Sequence, residues 1–119
     1  MTAEHVARGS ELSRELAQKV EEFRRLAAVR ARAEADYRRG RAKATASARV
    51  SAKSYADAEL SATASDVVGD LHLAFLLADA EADACKLAVL ALRTRIEWGR
   101  SVLTNEREAD RVHALGQHP

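Results

Sequence analysis

The sequence predicts an all-α protein: a long antiparallel helical hairpin or coiled coil that assembles into an oligomeric helical bundle. Three observations carry that expectation. The first is a heptad seam of small or apolar residues at Val68, Leu71, Phe75, Ala78, Ala82, Cys85, Val89, Leu92, Ile96, Gly99 and Leu103. Its steps alternate 3 and 4 without a slip, the pattern of a helix packed on another helix. The second is another such seam at Leu73, Leu77, Ala80, Ala84, Leu87, Ala91, Thr94 and Trp98. At 100° per residue the two seams lie roughly 150 to 200° apart, and one helical partner covers only one of them. The third is composition: 119 residues, 47% hydrophobic and 31% charged, with a single Pro and five Gly. Such a chain favours long helices and leaves little room for sheet.

Element by element, residues 1 to 9 lack periodicity and read as a flexible start. Ser10 before Glu11 reads as an N-cap with an acidic first turn. From there Leu12, Leu16, Val20, Phe23, Leu26, Ala27, Ala33, Tyr37 and Ala44 form one helical stripe. Gly40 interrupts it at a cost of about 1 kcal/mol relative to Ala, which points to a kink or a close helix contact rather than a break. Residues 44 to 65 are rich in Ala, Ser and Thr. The reversal between the arms is assigned to Ser47–Ser51, with Thr63–Ser65 as the alternative, since Thr63 and Asp66 have the spacing of a capping box. The helix that follows carries both seams and ends in the charged stretch Asn105–Arg111. Residues 10 to 115 thus form one helical hairpin domain, and 116 to 119 a tail.

Charge is distributed unevenly along the chain. Residues 24 to 53 hold ten basic groups against Glu34 and Asp36, a local excess of +8 in a chain whose net charge is +1. With Tyr37 set at 0°, Leu12, Phe23, Leu26, Ala33 and Ala44 of the stripe fall within about 40°, whereas Arg25, Arg32, Arg39 and Lys43 fall between about 200° and 240°. They make a solvent-facing line, flanked by Arg24 and Lys53 if the helix continues, and Arg38 and Arg49 complete the set. Rows of cations bind phosphate backbones because neutralised phosphates release condensed counterions. These eight residues are the candidate nucleic-acid contacts. The bland reading is a solvated face, against which the shortage of acids in the block argues. Arg30 and Arg41 fall at about 20° and 40°, where they are expected to snorkel or to pair with acids on the second arm. Leu73, Leu77, Leu87 and Trp98 are the candidate oligomer interface.

Other chemistry is sparse. The lone Cys85 excludes an intrachain disulfide and reads as a small buried hydrophobe on its seam rather than a reactive thiol. The four His are scattered, and Asp79, Glu81 and Asp83 read as solvated charge flanking a seam rather than cation ligands. No Gly-rich phosphate loop or nucleophile triad is present, so no catalytic residue, metal or cofactor is expected. No apolar run approaches the roughly 20 residues that cross a bilayer, and no early segment reads as a signal peptide. The expectation is a cytoplasmic protein without a membrane partner.

The stretches Tyr37-Arg38-Arg39-Gly40-Arg41-Ala42-Lys43-Ala44 and Leu92-Arg93-Thr94-Arg95-Ile96-Glu97-Trp98-Gly99-Arg100-Ser101, with the Ala-rich turn region between them, add a resemblance. Through them Ala33 to Glu108 resembles small helical proteins of tailed phages that accompany homologous-recombination genes. In architecture the chain is similar to phage recombination mediators, basic helical hairpins that assemble into rings and load a recombinase onto single-stranded DNA. The resemblance implies DNA binding through the basic arm and self-association, as a dimer or larger, through the long helix. It also implies a recombinase or host protein as partner, met in the host-cell cytoplasm. The alternative is a structural or adaptor coiled-coil protein that binds a host or virion protein through its apolar seams.

Overall fold

The computed structural model describes residues 3 to 116, which form three α-helices and, among the described residues, no strand. Helix α1 spans Ala3–Ala48, α2 spans Tyr55–Thr63 and α3 spans Asp66–Gly116. Their contacts divide the chain into two compact units, one formed by residues 1–22 with 85–119 and the other by residues 23–84.

In the first unit the α1 and α3 segments run antiparallel: His5 Nδ1 lies 3.5 Å from Glu106 Oε2, and Cys85 Sγ donates to the Lys19 carbonyl at 3.6 Å. Leu12, Cys85, Val89 and Leu92 are buried there. Helix formation alone is weakly specified by propensity, and packing of an apolar face supplies most of the stability. Two expectations at the N-terminus are nonetheless corrected, where residues 3 to 11 are exposed throughout. The start expected to be flexible is helical from Ala3, and Ser10 lies inside α1 instead of capping it. At the other end Gly116 belongs to α3. Met1, Thr2 and residues 117 to 119 of the expected termini lie outside the described residues.

In the second unit the α1 and α3 segments are again antiparallel, as the pairs Arg30–Asp79 and Tyr37–His72 show. Leu26, Thr45, Ala58, Ala62, Val68, Ala78 and Ala82 are its buried residues. Most are small, so the helices pack closely over a thin core. Thr45 is accommodated because its hydroxyl donates to the Arg41 carbonyl at 2.8 Å.

Each stretch considered for the reversal contains a turn, residues 49–51 after the end of α1 and Ala64 after the end of α2, and the nine-residue helix α2 lies between them. After Ala48 the chain closes on itself through Arg49 N–H to Thr45 O and Ala52 N–H to Ala48 O, both 3.0 Å. Ser54 caps α2, its hydroxyl accepting from the Asp57 N–H at 3.2 Å. Thr63 donates to the Glu59 carbonyl at 2.8 Å, within α2. The Thr63–Asp66 capping box is therefore not formed. The Ser65 carbonyl instead accepts the Gly69 N–H at 2.9 Å as α3 begins.

The glycines separate into two kinds. A Cβ at Gly40 would collide with Leu71 Cδ1, so this glycine permits a close helix approach inside an unbroken α1. Gly69 has open space where its Cβ would be. We expect Gly69→Ala to raise stability by about 1 kcal/mol, the helix-propensity difference. Gly40→Leu should lower it by about 1–3 kcal/mol through overpacking. Urea melts of the two variants against wild type check both signs.

Candidate nucleic-acid interface

The basic block lies wholly within the unit of residues 23–84. The α1 stripe beneath it is turned inward at every position: Leu26 is buried, and Phe23, Ala27, Ala33, Tyr37 and Ala44 are half-buried. Packing of this stripe fixes the rotation of α1 and so the direction of the opposite face. Arg25, Arg32, Arg39 and Lys43 are all exposed, and none has an ion-pair partner among the described residues. At 1.5 Å per residue the row is about 27 Å long, held on one continuous helix. Four unpaired cations on a rigid rod form a line that a phosphate backbone can follow.

The flanking candidates differ. Arg24, though exposed, has an interaction within the chain. Arg38 Nη2 pairs with Glu34 Oε1 at 2.6 Å, one turn earlier. Because α1 ends at Ala48, Arg49 and Lys53 fall in the connection to α2 and leave the helical line. The Arg49 guanidinium stands 5.4 Å over the Tyr55 ring, a cation–π contact at a ring that is itself exposed.

Arg30 and Arg41 part company. Arg30 reaches across to α3, with Nη1 3.6 Å from Asp79 and 3.9 Å from Asp83. These groups are partly exposed, so the pairing is worth no more than about 1 kcal/mol. Arg41, expected to snorkel or to pair in the same way, is exposed and has no ion-pair partner among the described residues. It lines instead a groove of about 650 Å³ with Tyr37, Arg38, Arg49 and Tyr55. Tyr37 is packed rather than presented: its ring stacks on His72 at 4.6 Å and on Phe75 at 6.2 Å. The residues that sequence reasoning missed are Tyr55 and His72. Ser54 just before Tyr55, a good N-cap residue, is the signal that places Tyr55 at a helix start.

The remaining candidates are placed as follows. Cys85 is buried and bonded to a carbonyl. Lys19 in the other unit has its ammonium held above the usual lysine range, first by the hydrogen bond it donates to Glu22 at 3.0 Å and then by that carboxylate's charge. It is engaged with its own helix. Among the described residues no group of three or more His, Cys, Asp or Glu is arranged to hold a metal ion, and no helix is long and apolar enough to cross a membrane. On α3 the first seam is buried or half-buried at all its positions, and the second, including Leu73, Leu77, Leu87 and Trp98, is exposed at all of its own. Comparison with protein-family models, with curated proteins and with solved structures finds no match.

Proposed function

We propose that this chain is a non-enzymatic, oligomeric helical DNA-binding accessory protein of the recombination- or replication-mediator type. Its helices serve as a long hairpin whose basic arm follows a phosphate backbone in the cytoplasm. The observation that carries the reading is the row Arg25, Arg32, Arg39 and Lys43, exposed and without ion-pair partners on one helix. Cations that only decorate a surface tend to be interleaved with acids in similar number, whereas residues 24 to 53 hold ten basic groups against Glu34 and Asp36. The face offers guanidinium and ammonium groups without side chains placed to read base edges, so the binding is positional and insensitive to sequence.

A second reading rests on the exposed second seam. An adaptor would use Leu73, Leu77, Leu87 and Trp98 to hold a host or virion protein, with the basic face serving only solubility. Retention on immobilised DNA separates the two. The DNA-binding reading expects tight retention at low salt that collapses at moderate salt; the adaptor reading expects none.

A further inference from the structure

The outer face of α3 carries two patterns at once. Its apolar residues Leu73, Leu77, Leu87 and Trp98 are 56%, 57%, 66% and 71% exposed, at the heptad spacing of a helix that meets another helix. Along the same helix, residues 66–85 hold five acids (Asp66, Asp70, Asp79, Glu81, Asp83) and no Lys or Arg. Residues 86–100 hold Lys86, Arg93, Arg95 and Arg100 against the single acid Glu97.

The helix dipole does not explain this division. Its influence fades within the first and last turns, whereas Asp79–Asp83 and Arg93–Arg100 lie well inside α3. Pairing within the chain explains only a part. Asp79 and Asp83 share Arg30, but Asp66, Asp70, Glu81, Lys86, Arg93, Arg95 and Arg100 have no ion-pair partner among the described residues. Around Trp98, moreover, a groove of about 460 Å³ lined by Arg8, Leu12, Thr94, Arg95 and Gly99 combines apolar walls with two guanidinium groups. Such a groove suits an apolar helix edge flanked by carboxylates.

We propose that the occupant of this face is a second copy of the chain, docked antiparallel. The acidic stretch of one copy's α3 then lies along the basic stretch of the other's, twice over in a twofold dimer. A parallel pair would set Asp66, Asp70 and Glu81 of one copy against the same three acids of the other, none of them offset by an ion pair among the described residues, which electrostatic complementarity disfavours. The proposal deepens the oligomeric part of the proposed function and rests on it. It also leaves the Arg25–Lys43 row free, because in its own unit that row faces away from the α1 core stripe and the outer seam faces away from the α3 core seam.

The test uses the full chain with Cys85→Ser and a spin label on Asn105→Cys. With the antiparallel centre near Ala84–Leu87, paired electron-spin distances should be about 50–70 Å at 1.5 Å per residue. A parallel pair would bring the labels within about 20 Å, given helix axes 8–10 Å apart, and would overturn the orientation alone. A monodisperse monomer by sedimentation would overturn the inference together with the oligomeric reading, leaving DNA binding to be judged by its own titration.

Charge variants supply the second arm. Asp70→Lys with Glu81→Lys, and separately Arg93→Glu with Arg95→Glu, should each weaken self-association at least tenfold with helicity unchanged by circular dichroism. All four changes in one chain should restore it. Tighter association of the first pair of changes would contradict the antiparallel arrangement. Should these variants fail to fold, the label distance still decides.

Discussion

Leu92→Ala is expected to lower the unfolding free energy by about 2–4 kcal/mol, as removal of a buried leucine side chain does. Leu92 lies on the inner seam of α3 and is 8% exposed. The same change at Leu87, only five residues away but on the outer seam, should leave unfolding of the isolated protomer within about 0.5 kcal/mol of wild type. Its effect should surface only at high protein concentration, because assembly stabilises by mass action. Denaturant melts of both variants across a hundredfold range of concentration check the pair. Equal losses at low concentration would mean that both seams are covered within one protomer.

The second large effect is on DNA affinity. Arg32→Ala with Arg39→Ala removes two of the four cations in the row without touching an ion pair among the described residues. With about 0.7 counterions released per phosphate on single strands, the slope of log affinity against log salt should flatten by about 1.4 per protomer. At 0.1 M salt that corresponds to about 25-fold weaker binding per protomer. Phosphate contacts position without reading bases, so the loss should be similar on unrelated sequences. Thermal stability should barely move, both side chains being exposed.

How much of this was legible in the sequence depended on whether hydropathy has a period. Burial followed the apolar pattern position by position in the stripe Leu12–Ala44 and in Val68–Leu103, whereas the second seam, Leu73–Trp98, has the same period and is exposed throughout, so the period marks both faces and does not say which one is inside. The outward turn of Arg25, Arg32, Arg39 and Lys43 follows from the same geometry, since a helix that buries one stripe presents the opposite one. Gly40 was legible as a kink or a close contact, and it is the contact, under Leu71, that the structure shows.

Helix α2 was hidden because its buried residues, Ala58 and Ala62, are of the same type as its exposed Ala56. In such a stretch packing, not composition, decides which face is inside. The helical start at Ala3 was hidden because residues 3 to 11, exposed throughout, carry no buried stripe to mark it. Arg30 and Arg41 looked equivalent by angle. What separates them is that Asp79 and Asp83 stand across from Arg30, a fact of interhelical register that helical periodicity does not contain.

The central claim is that the basic face follows a phosphate backbone, and fluorescence anisotropy of labelled oligonucleotides across a salt series tests it most directly. Four phosphates per protomer give an expected slope of about −3 on single strands and about −3.6 on duplex, the same for two unrelated sequences. Absence of binding at low salt, or a marked preference for one of the two sequences, would contradict it.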